Sequence, residues 1–447
     1  MKTQSWVEQE FDSTKLPDER YRANLYKMVT RLSERPEASF SSACGELVRK
    51  AAWRLFSSSE LDLSGGHEAA TLSRCKAEQV ILVVEDTTDL NYWNHKQTEG
   101  LGLLGGQKTV LGLCVHSALA LNEAGDPLGL VGEHIWPPKT DKEKRKAPGK
   151  FDITEKESNK WLLALGWIDR MFKDFSGTVI AIGDREADIY EHFTASRGHN
   201  VQLLVRIRDV RRKVEFEGQS CNVKELATNM PLYGYLEVTI RRQKDREERL
   251  AKLAVRYGPV TCLVPQKKKG EPVAMWVIHV KEVGVKDGIT PIEWYLFTTL
   301  PVTSLADAIR IIEYYSKRWT IERFHYVLKQ GLRIERLQFD NYKRLTNAIQ
   351  LYLIIGWYLL RLAYVAKVSP DKSASEYFDE LDIKLVEQFA NKKVDTVKQY
   401  IIALSSIAGF VPSKKQPLPG EKLLWQSIRT LVAMRAGFLM AQNYGTG

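Results

Sequence analysis

The sequence predicts an α/β protein: a mixed sheet covered by helices on both sides, with helical segments before and after it. Three observations predict this. Gln79 to Glu85 (QVILVVE) and Thr178 to Gly183 (TVIAIG) are unbroken apolar runs of strand length, the pattern of strands buried on both faces. Around them, strand-like and helix-like segments alternate in the order of a sheet with crossover helices. Both ends of the chain, by contrast, have helical periodicity.

A chain of 447 residues can hold two or three domains and a large core. Its 44% hydrophobic and 27% charged residues are those of a soluble globular protein. The net charge of +10 and pI near 9.1 point to a polyanionic partner, most simply nucleic acid. Five cysteines are scattered without any C-x-x-C, which indicates neither a disulfide framework nor a zinc site. The start, MKTQSWVEQEF, has no apolar signal-peptide core. The greasiest run, Leu351 to Leu360, is too short to span a bilayer and reads as a buried helix. The expectation is a cytoplasmic protein with no membrane partner.

Residues 1–75 read as a helical domain. Glu19 to Ser33 and Ala43 to Phe56 put Arg20, Arg22, Lys27, Arg31, Arg49, Lys50 and Arg54 on their wet sides. That pattern fits a small DNA-binding module and a solvated bundle equally well. Residues 76–368 form the next domain. After Gln79 to Glu85 come strands at Gly112 to Leu121 and Leu128 to Ile135, joined by a Gly-Asp-Pro turn. Lys139 to Lys150 is a basic, Pro-containing loop, and Glu155 to Phe172 a helix. Thr178 to Gly183 and Gln202 to Arg208 are further strands. Residues 209–291 alternate strand-like runs with charged turns and read as a β-rich insertion. Trp294 to Leu300 returns to an apolar strand. Asn341 to Val368 is a long helix, and residues 369–447 form a helical C-terminal domain broken at Pro412 to Gly420.

The segment between the Trp294 strand and the Asn341 helix carries the densest signal. No Pro or Gly lies between Val302 and Gln330, Ser304 can cap the start, and Gly331 can end it. One helix is therefore predicted. On it Tyr315, Arg318, Glu322 and Lys329 fall within roughly 60° of one another, and His325 extends that edge. Ile321, Phe324 and Leu328 face the other way, as core. An ordinary amphipathic helix with i, i+4 ion pairs has the same outline.

Asp86 and Asp184 stand where the two apolar strands end, the place where α/β sheets put their ligand sites. Acids in such surroundings call for a cation. With Glu322 they make an oxygen-only set suited to Mg²⁺ or Mn²⁺ and not to zinc. Two such ions, roughly 3.5–4 Å apart, can activate a water or a 3′-hydroxyl for phosphodiester chemistry. Each aspartate could instead be a turn residue or a helix N-cap. Glu85, Asp89, Glu186 and Asp188 are close enough in sequence to be confused with them.

VEDTTDLNY, GDREADIY and Y-x-x-R-x-x-x-E-x-x-x-x-x-x-K, in this order, resemble the signature blocks of DDE transposases of the insertion-sequence-four family, most closely the transposon-five-type cut-and-paste enzymes. The resemblance runs through nearly the whole chain, including EKESNKW at 155–161, VRIR at 205–208 and FLMAQ near the end. It implies a ribonuclease-H-like catalytic core with Asp86, Asp184 and Glu322 as the catalytic triad, holding two Mg²⁺ that Mn²⁺ can replace. It implies that Tyr315, Arg318 and Lys329 contact the backbone of transposon-end DNA, and that Trp294 stacks on a flipped base. Arg206 and Arg208 match positions near the DNA end. The implied partners are double-stranded DNA, both transposon ends and target, and a second copy of the chain in a synaptic homodimer. Arg323 and Tyr326 depart from the family pattern, where an acid and a lysine stand. Two other readings compete: a Mg²⁺-dependent nuclease or phosphatase without strand transfer, and a catalytically silent DNA-binding inhibitor.

Overall fold

The computed structural model describes residues 5–444 apart from 96, 107–109, 140–152, 241–247, 267 and 287. The basic loop expected at 139–150 lies outside the described residues except for Lys139, as does most of the charged turn at 241–249.

Four helices open the chain: α1 (Trp6–Phe11), α2 (Arg22–Glu34), α3 (Phe40–Phe56) and α4 (Ser64–Cys75). Their starts are written locally, with a Ser5–Glu8 capping box on α1 and Ser39 capping α3. Then follow β1 (Val80–Asn91), β2 (Gly102–Leu103), β3 (Leu111–Asn122), β4 (Pro127–Trp136), α5 (Asn159–Met171), β5 (Thr178–Gly183), α6 (Tyr190–Thr194) and β6 (Val201–Arg206). The segment 209–291 contributes β7 (Lys213–Phe216), β8 (Gln219–Asn222), α7 (Val223–Asn229), β9 (Gly234–Ile240), β10 (Arg249–Cys262) and β11 (Val273–Val283). The chain ends with β12 (Glu293–Thr298), α8 (Leu305–Ser316), α9 (Trp319–Tyr326), α10 (Tyr342–Val368), α11 (Glu380–Ala390), α12 (Val397–Ser406) and α13 (Glu421–Tyr444).

The chain divides into two compact units, one of residues 1–77, 87–146 and 320–447, the other of 78–86 and 147–319. The second unit is a large mixed sheet flanked by helices. The start of β1 pairs in parallel with β5, and β5 with β6. β12 then joins β6 antiparallel, followed by β11, β10, β7 and β8, with β9 also on β10. The strands of 209–291 thus continue the parallel strands through β12. Val80–Val84, β5 and the middle of β6 are largely apolar because the parallel strands are covered on both faces, with Leu82, Ala181 and Leu203 fully buried.

In the first unit β3 and β4 form an antiparallel hairpin, on which α4 and α10 pack. Gly129 on β4 has φ 154°, and a Cβ there would sit 1.9 Å from Thr71 Oγ1 of α4, so only glycine permits this approach. α10 matches the long helix expected at 341–368, and its apolar stretch runs beyond Leu351 to Leu360. An 18-residue window has mean hydropathy 1.5, enough by length and composition to cross a membrane, yet 72% of that window is buried inside the protein. Its surface is taken up by α2, α3, β4, α12 and α13. The opening helices are tied to it directly. Trp6 stacks on Tyr358 with ring centroids 3.9 Å apart. Buried Glu10 binds both His67 and Arg74, and the Arg74 guanidinium lies 4.4 Å over Trp357.

Two expectations are corrected. The apolar strand does not end at Glu85, since β1 continues to Asn91 and carries Asp86 within it. Its pairing with β5, however, ends at Val84. The single helix across 302–330 is broken. Ser316 Oγ donates to the Glu313 carbonyl at 2.7 Å, and the N–H groups of Lys317 and Arg318 bond back three residues, at 3.1 and 3.0 Å. This tighter winding ends α8 without any Pro or Gly. A π-helical turn, Val327–Gly331, then follows α9.

Candidate active site

In the second unit strand register brings three of the candidate side chains into line. Val84 on β1 faces Ile182 on β5, so Asp86 and Asp184 each lie two residues beyond the same paired level. Gly183 faces Val205 on β6, which puts Arg206 one residue beyond, beside Asp184. All three stand where the parallel pairing of neighbouring strands ends, although β1 itself runs on to Asn91.

Asp86 Oδ2 lies 3.5 Å from the Arg318 guanidinium, both side chains being partly exposed. Asp184 Oδ1 accepts the Glu186 N–H at 2.8 Å and caps the short turn Arg185–Ala187. The local capping role is therefore real, and it occupies one oxygen; Oδ2 makes no hydrogen bond among the described residues. Next to these acids stands an aromatic and cationic wall. Trp294 meets Tyr315 edge to face with centroids 5.4 Å apart, and the Arg206 guanidinium lies 5.9 Å from the Trp294 ring. Arg206 also donates to the Glu293 carbonyl at 3.3 Å. Burial raises the Tyr315 phenol above its ordinary pKa, while Arg318 and Arg206 pull it back. Burial likewise depresses Arg206, and Arg185 and Arg318 push in the same direction by charge repulsion. Three cations close enough to repel one another beside two carboxylates form a field suited to a phosphodiester. Arg185 was not singled out from the sequence, although its place directly after Asp184 was the available signal.

The neighbouring acids separate cleanly from the two aspartates. Asp188, its side chain 1% exposed, binds Arg212 and accepts the N–H groups of Arg208 and Asp209 at 2.8 and 3.0 Å. It therefore shapes the loop after β6. Glu85 is buried, and burial holds its carboxyl well above the usual range. Glu186 pairs with Lys160 at 2.7 Å, and Asp89 accepts from the Cys114 thiol at 3.3 Å. Arg208 is exposed on that same loop.

Glu322 and Lys329 belong to the first unit, on α9 and the π turn, and both are partly exposed. Ile321, Phe324 and Leu328 are buried as expected, but Tyr315 and His325 are buried too, so no continuous wet stripe exists. The helical-wheel argument assumed unbroken winding, and the break at Lys317 and Arg318 removes that assumption. Among the described residues no three His, Cys, Asp or Glu side chains stand together as a metal cluster. Asp86 and Asp184 do offer partly exposed carboxylate oxygens and no sulfur or imidazole, the donor chemistry of a hard divalent ion.

Two domain families match the chain. The transposase DDE domain matches residues 151–357, a span that contains Asp184, Trp294 and Glu322 and begins after Asp86. The transposase DNA-binding domain matches residues 3–61. Among solved structures, the piggyBac transposase synaptic complex with hairpin DNA is similar at 10% identity and a TM-score of 0.30. The match covers 77% of this chain and 58% of that one, so the chain accounts for little more than half of that protein's length. DDE transposase domains use divalent metal ions, in keeping with the carboxylates at the strand ends. The chain thus carries a match to a transposase DNA-binding domain at its start and, behind it, a match to a transposase DDE domain.

Proposed function

We propose that this enzyme is a cut-and-paste transposase of the insertion-sequence-four type. In this reading it binds the ends of its own element as a homodimer, cuts them by phosphodiester hydrolysis with a DNA hairpin intermediate, and joins the 3′-hydroxyls to target DNA. The observation that carries the proposal is the row Asp86, Asp184 and Arg206 on consecutive parallel strands, with Arg318, Tyr315 and Trp294 against it.

Asp86, Asp184 and Glu322 would hold two Mg²⁺, or Mn²⁺ in their place. When bound, the ions supply activation of a water or 3′-hydroxyl and stabilisation of the leaving oxygen. The chain's own residues do the positioning. Arg318 and Arg206 can fork onto the phosphate beside the scissile bond, fixing its orientation as a point charge would not. Tyr315, its phenol kept protonated by burial, donates to the same phosphate. Trp294 offers an indole face to an extrahelical base, worth on the order of 1–3 kcal/mol of stacking. Arg208 and Lys329 contact the backbone further along, and the helices of residues 1–75 read the end sequence. The work is done wherever the host DNA lies, in a bacterial host the nucleoid within the cytoplasm.

The test is incubation with Mg²⁺ and a DNA fragment bearing the element's own ends. Excised fragments with hairpin termini are expected. Inorganic phosphate release without excision would point to a phosphatase, and a mobility shift without cleavage to a silent DNA-binding protein.

A further inference from the structure

A cavity of the first unit, about 460 Å³, is lined by the π turn after α9, the loop that follows β1 and the start of α13. None of the residues that line it was part of the sequence-based site except Lys329. Its volume falls in the range of small-molecule sites. Four cations open into it: Lys329, Arg333, Arg336 and Lys422. None of these four has an ion-pair partner among the described residues. The two acids on the wall are already engaged: Glu37 faces Arg429 at 3.6 Å, and Glu335 Oε1 accepts the Asn91 N–H at 2.8 Å. The cavity is therefore strongly cationic.

It also has an aromatic side. Trp93 is 58% exposed, far more than an indole with a packing role. Tyr326, half-exposed, lies against Trp425 with centroids 6.2 Å apart and planes 26° from parallel. The backbone around the cavity is held out of its ordinary conformation. Glu37 has φ 68° and Arg333 φ 50°, the left-handed region that non-glycine residues rarely occupy. The Glu37 N–H donates to the Gly331 carbonyl at 2.6 Å, tying these two strained segments together. Lys329 itself is aimed by the π turn, a winding that proteins keep mainly at functional sites. Strain of this kind persists where surrounding structure fixes it for a purpose.

We infer that this cavity is a nucleotide-binding pocket for a single-stranded or unpaired stretch of DNA. The phosphate sits among Arg333, Arg336, Lys422 and Lys329, and the base stacks on Trp93. The pocket's lining residues all belong to the first unit, whereas Trp294 belongs to the second. The inference rests on the DNA reading above and extends it, since duplex DNA has no free base face to offer while an overhang or a displaced strand does.

The full chain is titrated with two probes, a blunt 30-base-pair duplex and the same duplex with a five-thymidine overhang carrying one 2-aminopurine. The wild-type protein is expected to prefer the overhang and to quench the 2-aminopurine. Trp93→Ala should lose overhang affinity about tenfold or more with blunt-duplex affinity within twofold, and should lose the quenching. Trp93→Phe should retain most of both. Arg336→Gln and Lys422→Gln should each lower the salt slope of overhang binding by about one. Equal loss on both probes would overturn the pocket, leaving a generic basic surface, and so would no loss on either. Thymidine 5′-monophosphate binding as tightly as the overhang would show a site for free nucleotides instead of a strand. Failure of the wild-type protein to bind either DNA would sink the transposase reading itself, an outcome distinct from the pocket failures.

Discussion

His325 allows a worked prediction about stability around α9. It lies one turn beyond Glu322 on α9, with its ring 7% exposed and Nε2 3.3 Å from Ser117 Oγ of β3. Burial, helped by the charge of Lys329, lowers its pKa from 6.5 to about 3. The unfolded chain, whose imidazole titrates near 6.5, therefore takes up the proton first. The stability tied to this group is complete above that pH and is lost as pH falls from about 6.5 towards 3. From pH 7 to pH 4.5 the loss spans about two units at 1.36 kcal/mol each, or roughly 3 kcal/mol from this one side chain. Buried Glu85 and Glu133, whose carboxyls are raised by burial, Glu133 to about 7, act in the opposite sense, so the raw acid profile is a sum. The comparison with His325→Gln isolates the histidine, because glutamine cannot titrate. Urea unfolding followed by circular dichroism at both pH values should show the wild type losing roughly 3 kcal/mol more than the variant on acidification. Parallel losses would refute the reasoning and mean that His325 is hydrated or already charged in the folded state.

Other outcomes follow from the same geometry. Asp86→Ala, Asp184→Ala and Glu322→Ala should each abolish nicking and joining in Mg²⁺ while retaining DNA in a mobility-shift assay, and near-normal cleavage by any one would remove that residue from the triad. Arg318→Ala and Lys329→Ala should weaken binding to element ends and reduce its salt slope by about one each. Ile321→Asp, placing a charge at a fully buried position, should instead give insoluble or unfolded protein, visible as loss of the thermal transition. Trp294→Ala should nick the first strand almost normally and accumulate nicked intermediate before the hairpin, with partial rescue by Trp294→Phe. First-strand loss as severe as that of Asp86→Ala would make Trp294 a packing residue for Tyr315.

Much of the site was legible in the sequence because strand ends are local features. A run such as TVIAIG must be buried on both faces, and the first acid after it must emerge at the edge of the sheet. Asp184 was placed by that rule, and Asp86 survived it although its strand runs on. The resemblance blocks then gave roles to residues whose distances no periodicity could supply. The core side of the key helix, Ile321, Phe324 and Leu328, was equally readable from spacing.

What the sequence could not determine depends on partners distant along the chain. The break after Ser316 comes from a hydroxyl taking the Glu313 carbonyl and from tightened N–H bonds, with no Pro or Gly to announce it. Tyr315 is buried against Trp294 among others and His325 is buried with Ser117 at its ring, so a face that looked wet on a wheel is half inside. Asp188 and Asp184 are four residues apart in one motif, and only the approach of Arg212 and two backbone amides makes the first structural and leaves the second an oxygen to spare. The cationic cavity beside Trp93 is assembled from residues between 37 and 425 of the chain. Hydrophobic period and strand length are properties of a few adjacent residues, so the sequence by itself determined the α/β class, the strand-end carboxylates and the buried side of the helix. Ion pairing, burial of polar groups and cavity shape are properties of contacts made after folding, and only the tertiary structure decided them.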